Sequence, residues 1–302
     1  MGAKSPTQFW PLIYSVIQGF WSITEPRISD AAVREAIPVE LYFYSELGLD
    51  YFSIEAFQKR DPFSNPEQFE RLFARLNIKG WIEPLQDKSY RVTDGARAGA
   101  RLIIQAGDRH LSGFQFMSEV DLERLAELLG QVVAESKATS EPPVKWAIIN
   151  RFRVADKASP WLVQVREYLM DLFAYRDDSH LSAARPHFNR AGIVWSVLGS
   201  LWTGDALTAE QMAERQAFRG YEVDDYRVAI QAAVGVGWVE QADVPGKFRP
   251  TQMGRELRQQ VDQLTDEYFY RPWSVFTQAE LDELYDLLAK LREELDAHGK
   301  SR

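Results

Sequence analysis

Apolar positions along the chain recur with two periods, and the switch between them occurs twice at corresponding places. Phe9, Trp10, Ile13, Val16, Ile17, Phe20 and Trp21 form one broad stripe at the 3.6-residue period of an amphipathic helix. Trp161, Leu162, Val165, Leu169, Leu172 and Phe173 form a second such stripe, with Ser159 as N-cap and Pro160 in the first turn. After each stripe the pattern predicts a short apolar helix (Val39 to Leu47, Arg190 to Trp202), a third helix beginning near Ile54 or Ala209, and a fourth over Pro66 to Asn77 or Val223 to Val234. Thr208-Ala209-Glu210-Gln211 has the form of a capping box at one of these starts. The period then falls to two. Trp81 to Thr93 and Trp238 to Thr251 each hold two β-like runs around a polar turn, which predicts a hairpin. A fifth helix begins at Thr93 or Thr251, both good N-caps. A sixth carries Leu122, Leu125 and Leu129, or Leu281, Leu284 and Leu288, at a spacing that makes one apolar face.

The corresponding elements also share residues, at an offset of 157 to 159. Gly80-Trp81-Ile82-Glu83 recurs as Gly237-Trp238-Val239-Glu240, and Tyr90-Arg91-Val92-Thr93 as Phe248-Arg249-Pro250-Thr251. Asp121 to Leu129 recurs as Glu280 to Leu288. Three blocks in register predict a tandem repeat. The stretch from Pro186 to Gly237 exceeds its partner by nine residues, so the second copy carries an insertion. The first module is expected over 1–135, a Ser-, Thr- and Pro-containing linker over 136–145, and the second module over 146–302. The fold expected is mainly α with small β-hairpin wings, two tandem winged-helix modules whose first and last helices form dimerisation-like arms.

A fourth helix ending in Gly-Trp, a wing, and a Thr-x-x-Gly-Arg start to the next helix resemble MarR-type winged helices. Thr251-Gln252-Met253-Gly254-Arg255 carries that start in full, whereas Thr93-Asp94-Gly95-Ala96-Arg97 has Ala96 where glycine is usual. The second half also resembles a family of MarR-like helix-turn-helix proteins of actinobacterial type, through Arg176-Asp177-Asp178-Ser179-His180 and Thr265-Asp266. The resemblance implies a single-chain pseudo-dimer, with the dimer contact formed between the chain's own halves. It also implies a regulatory, non-enzymatic protein.

Composition narrows the function. Hydrophobic residues make up 45% and charged residues 26% of 302 residues, as in a globular protein of two ordinary domains. There is no cysteine, which excludes disulfides, thiolate chemistry and cysteine-ligated zinc. No apolar run is long enough to span a bilayer, and no basic, then apolar, N-terminal signal is present, so the expectation is a cytoplasmic protein without a membrane partner. The net charge of −9 opposes binding to nucleic-acid phosphates at long range, though a local basic patch can override it.

For double-stranded DNA the candidate contacts are Gln68, Arg71 and Arg75 on the first copy's fourth helix, and Lys88, Arg91, Lys247 and Arg249 on the wings. Against Arg91 and Arg249 stands a plainer role, pairing with a neighbouring glutamate at a strand edge. The second copy's fourth helix opens with Glu222, Asp224 and Asp225 against one Arg227, which suits phosphates poorly. DNA binding is therefore expected to be weak and to lie with the first copy. A second expectation is a pocket for a small aromatic or anionic ligand where the modules meet, lined by Arg176, Asp178, His180, Tyr268 and Trp273. Alternatively Arg176 pairs with Asp177 or Asp178, and the aromatics fill core.

Asp177, Asp178 and His180 have metal-ligand chemistry, but a loop or helix start capped by Asp178 or Ser179 accounts for them better, and no metal or cofactor is expected. His180 and His187 lie seven apart, with Pro186 expected to break the face between them. No Walker, nucleophile-elbow or zincin motif is present, and nothing nominates a catalytic pair. The alternative to a regulator is a ligand-binding or protein-interaction module that has lost DNA binding.

Overall fold

A computed structural model describes residues 5–42, 51–151, 158–188 and 192–300. Along the chain run α1 (Phe9–Arg34), β1 (Tyr51–Phe52), α2 (Ile54–Arg60), α3 (Pro66–Ile78), β2 (Ile82–Pro84), β3 (Tyr90–Val92), α4 (Asp94–Leu111) and α5 (Glu119–Ala138). Then follow α6 (Ala147–Asn150), α7 (Trp161–Phe188), α8 (Gly192–Thr203), α9 (Ala209–Arg215), α10 (Val223–Gly235), β4 (Val239–Gln241), β5 (Phe248–Pro250), α11 (Gln252–Tyr270) and α12 (Gln278–Lys300). The protein is mainly helical with a few small antiparallel strands. The expected helix over Val39 to Leu47 is helical at 40–42, and its remainder lies outside the described residues, as does Arg190 at the start of the expected Arg190 to Trp202 helix.

Two compact units divide the chain, and the division does not follow the sequence halves. One comprises Met1–Leu49, Thr93–Ser179 and Asp266–Arg302; the other comprises Asp50–Val92 and His180–Thr265. Each therefore draws on both the 1–135 and the 146–302 stretches, and residues 136–138 of the expected linker form the last turn of α5.

The first unit is helical. Phe9, Ile13, Val16, Ile17 and Phe20 of α1 bury their stripe against Leu125, Leu128, Leu129 and Val132 of α5, Val165, Leu169 and Leu172 of α7, and Leu284, Leu288 and Leu291 of α12. Both leucine stripes are thus core, with Leu125, Leu129, Leu284 and Leu288 fully buried. Across the polar edges of α5 and α12, Arg124 contacts Glu283 at 2.9 Å and Lys290 contacts Asp121 at 2.7 Å. Arg124 and Glu283 lie 159 residues apart, the offset of the repeated block itself.

The second unit holds α2, α3, α8, α9, α10 and both hairpins. Caps sit where their chemistry requires. Ser53 accepts from the Ala56 amide, Asn65 from Glu67, and Thr208 from Gln211. The Gln211 side chain returns a bond to the amide of Leu207 rather than to Thr208, one residue outside the expected capping box. The two hairpins close with the same register: Ile82, Glu83 and Pro84 face Val92, Arg91 and Tyr90, while Val239, Glu240 and Gln241 face Pro250, Arg249 and Phe248. β1 adds a third strand to the first hairpin; in the second, the Phe248 amide bonds to the Leu207 carbonyl instead.

Two expectations are corrected here. Pro186 does not break the helix: α7 continues through it to Phe188. A proline this close to a helix C-terminus interrupts only the last part of the hydrogen-bond ladder, so the loss is small beside the burial of Leu181 and Phe188. His180 and His187 consequently both reach Trp195, with ring centroids 6.3 and 6.4 Å away. Nor do Asp178 and Ser179 open a helix, because both lie within α7. Asp178 instead caps α6, accepting from the amides of Ala147 at 2.9 Å and Ile148 at 3.0 Å.

Candidate functional site

The residues expected to meet DNA are placed on the second unit, and most are already engaged. Arg91 pairs with Glu83 across the first hairpin at 2.7 Å, and Arg249 pairs with Glu240 at 2.9 Å at the equivalent register position. Asp243 adds a second carboxylate beside Arg249 at 3.5 Å. Lys88 is exposed at the tip of its turn, Lys247 is half-buried, and Arg71 and Arg75 are exposed on α3, with Arg71 3.7 Å from Glu67. On α10, Arg227 contacts Asp224 and Glu210 at 2.7 and 2.6 Å, so the acids at that helix start are only partly offset.

Gln68 is not presented to solvent as a reader of bases. Its side-chain amide donates to the Phe218 carbonyl at 2.9 Å, and its oxygen is buried. Nearby, the Asn65 amide donates to the Arg219 carbonyl at 2.8 Å, and its side chain donates to the Gly220 carbonyl at 3.0 Å. Residues 217–220 thus clasp the N-terminus of α3. Gly220 makes this possible. Its φ of +72° is the left-handed region, and a Cβ there would fall 2.0 Å from the Gln68 side-chain oxygen. Glu222, the N-cap of α10, follows two residues later, so the N-termini of α3 and α10 lie close together. Paired recognition helices on one face of a duplex need their reading ends about 34 Å apart, one helical turn.

The expected ligand residues are largely committed to structure. In the first unit Arg176 contacts Asp266 at 2.6 Å, rather than Asp177 or Asp178, and its guanidinium lies 5.2 Å from the Trp10 ring and 5.1 Å from Phe269. The two short motifs Arg176-Asp177-Asp178-Ser179-His180 and Thr265-Asp266 therefore meet in an ion pair held between aromatic rings. Trp273 is 1% exposed and packs on Phe9 at 4.7 Å. Tyr268 contributes its carbonyl, which accepts from the buried Tyr175 hydroxyl at 3.0 Å. Asp178 serves as the cap described above. His180 belongs to the other unit.

There it borders a cavity of about 250 Å³. Trp195, Phe63, Arg219, Arg258 and Gln216 line it with His180. Gln216 is engaged on both ends: its oxygen accepts from Ser196 at 2.8 Å and Tyr226 at 3.2 Å, and its nitrogen donates to Ser200 at 2.5 Å. The two arginines are engaged in part. Arg258 stacks 5.3 Å above Trp195 and contacts Asp262 at 3.0 Å, but its Nε is buried without an acceptor. Arg219 stacks 5.1 Å above Phe63, and both its Nε and Nη1 are buried without acceptors. Burial lowers the proton affinity of both guanidiniums, and neighbouring carboxylates only partly oppose it. Sequence reasoning missed both residues. Arg219 sits in the inserted stretch and Arg258 on a polar helix face, so neither had a local signal beyond the glycine that follows Arg219.

Residues 174–301 match the model of a helix-turn-helix family, and the chain carries a helix-turn-helix domain over that stretch. No curated protein and no solved structure matches the chain. Among the described residues no helix is long and apolar enough to cross a membrane.

Proposed function

We propose that the chain is a non-enzymatic helix-turn-helix regulator built as a fused pair of MarR-like winged-helix modules, with DNA binding that is weak and directed to the phosphate backbone. The helix-turn-helix match suggests a DNA-binding regulatory protein, and it carries the reading. The common register of the two hairpins supports a fused pair, as does the contact of Arg124 with Glu283, a residue with its own repeat equivalent, which is the signature of an isologous interface. The clasp on α3 and the ion-paired wing arginines argue for weak contact. Exposed Lys88, Arg71 and Arg75 supply the remaining cations. The test is fluorescence anisotropy with mixed-sequence duplex DNA across a salt series. The expected result is sequence-indifferent binding at about 10⁻⁴–10⁻⁶ M near physiological salt, with a slope reflecting a few phosphate contacts. Tight, sequence-selective binding with a slope of six or more phosphates would overturn it.

A second reading, an interaction module that no longer binds DNA, is favoured by one observation. Gln68 and Asn65 are held by residues 218–220, so the reading end of α3 is closed. Absence of any DNA binding at low salt would select this reading.

A further inference from the structure

We infer that the exposed face of α10 is a docking surface for the same face of a second copy of this chain. α3 and α10 are both 13 residues long, and an offset of 157 carries one onto the other from first residue to last. The offset sets Arg71, Arg75 and Lys79 against Val228, Ala232 and Val236, with Lys79 and Val236 as the two C-caps. All six are exposed, and each set is spaced i, i+4, i+8, one ridge along its helix. The stripe that is cationic on α3 is thus apolar on α10. Val228 is 71% exposed and Val236 is 53% exposed. Single apolar residues scattered on a surface are ordinary, but an aligned row on one helix face is the pattern of an interface. The opposite face of α10, with Tyr226, Ala229, Ile230 and Ala233, is already buried.

Gly235 lies beside the stripe, where α3 has Ile78. Its φ is not left-handed, and a Cβ there would meet nothing within 4 Å. Neither the backbone nor packing within the chain calls for a glycine, which is costly in a helix, whereas close approach of another backbone from outside does. The order Val-Ala-Val is symmetric about Ala232, as a two-fold contact demands, and this favours a second copy over a different protein. Val228 of each copy meets Val236 of the other, and Ala232 meets Ala232 at the crossing, where a small side chain lets the helices draw together. Charge sets the direction. Glu222, Asp224 and Asp225 crowd the N-terminal end, and Arg227 is held by Asp224 and Glu210. A parallel pair would bring the two acidic ends together. An antiparallel pair crossing at Ala232 keeps the Asp224 carboxylates roughly 24 Å apart along the axis at 1.5 Å per residue, beyond the Debye length of about 8 Å. A contact of about three turns per copy falls below about 1,200 Å² in all, the class of weak, reversible pairs. The inference rests on neither reading of DNA binding.

The experiment is sedimentation velocity on the full chain, from micromolar to near-millimolar protein, at low and at high salt. The expected result is a reversible monomer–dimer equilibrium that tightens with salt, because salt screens the repulsion between two chains of net charge −9 and leaves the apolar contact intact. Val228→Arg installs the residue that α3 carries at the equivalent position, and Gly235→Leu installs a side chain of the bulk of Ile78. Each should weaken the dimer at least tenfold, and with Gly235→Leu the melting temperature of the monomer should stay level or rise. Ile78→Ser, on α3, should leave association unchanged. A chain that stays monomeric at near-millimolar concentration overturns the inference and leaves the face to a different protein. So does a dimer weakened by neither Val228→Arg nor Gly235→Leu, or one weakened equally by Ile78→Ser. Growth beyond two copies overturns it as well, since an isologous contact closes at the dimer.

Discussion

Two clusters of arginines, one in each unit, are compensated to different degrees. In the first, Arg151 contacts Glu167 at 2.5 Å and Asp171 at 2.9 Å, and Lys137 reaches Asp171 at 3.3 Å. Arg166 binds Glu167 and, at 2.7 Å, Asp108. Arg151 and Arg166 are buried, and each faces two carboxylates that offset its charge within the unit. In the second, Arg219 and Arg258 are half-buried, Arg258 contacts Asp262 at 3.0 Å, and each keeps a side-chain nitrogen without an acceptor. The first arrangement is costly to break.

The sharpest way to break the comparison is to open the first network. Glu167→Gln removes the carboxylate that both Arg151 and Arg166 contact, leaving two buried guanidiniums undercompensated. The expected loss is about 3–5 kcal/mol in urea unfolding. A loss below about 1 kcal/mol would show that water already screens these charges.

Acid titration probes the same network. Burial by itself would raise the Glu167 carboxyl, but Arg151 and Arg166 hold it well below its ordinary range. Asp108 is shifted the other way, because burial outweighs the attraction of Arg166. A depressed carboxyl contributes stability that is present above its unfolded value and lost as pH falls through its folded value; a raised one favours the protonated form and opposes that loss. Stability should therefore hold or rise slightly as pH falls toward the ordinary carboxylate range, then decline below it. Urea midpoints from pH 7 to pH 3 give the curve, and Glu167→Gln should flatten its acid limb. A variant curve with the same acid limb would remove Glu167 as its cause.

In the second unit the clasp can be isolated by comparing two glycines. Gly220 and Gly246 both have positive φ, +72° and +78°, but only at Gly220 would a Cβ meet anything, the Gln68 side chain. Each alanine substitution should cost about 1–2 kcal/mol for backbone strain. Gly220→Ala should cost more, and should raise hydrogen exchange at the N-terminus of α3. Equal costs at the two positions would mean that the clasp contributes nothing.

These contrasts also mark what was legible beforehand. Hairpins after Trp81 and Trp238, the caps at Thr93 and Thr251, and the leucine faces were readable, because periodicity and capping are local properties. Even the pairing of Arg91 and Arg249 was open as an alternative, since Glu83 and Glu240 are cross-strand neighbours fixed by hairpin register. The clasp was not legible, because Asn65 and Gly220 are 155 residues apart and no local pattern joins them. Nor does any local pattern mark the division into units. Arg176 was expected to line a ligand pocket or to pair with Asp177 or Asp178, but its partner Asp266 comes from another helix, beyond the reach of local pattern. Arg219 and Arg258 carry no local signal, and only the tertiary fold brings them to one cavity.

The smallest expected effect concerns the wings, where charge pairs lie in the open. Arg91 and Glu83 are each more than half exposed, as are many surface pairs of little consequence. Glu83→Gln should change stability by only about 0–1 kcal/mol. It does, however, take a carboxylate away from Arg91, on the central strand of its sheet near exposed Lys88, and Glu240→Gln does the same for Arg249, leaving Asp243 as its nearest carboxylate. If phosphate contact at the hairpins contributes to DNA binding, each such arginine should steepen the dependence of log affinity on log salt by about 0.9. The double variant should bind mixed duplex DNA more tightly at low salt, without gaining sequence preference, because the added contacts are to backbone rather than to base edges. An unchanged slope in the double variant would place the hairpins away from the duplex and leave backbone contact to the exposed Arg71 and Arg75 of α3.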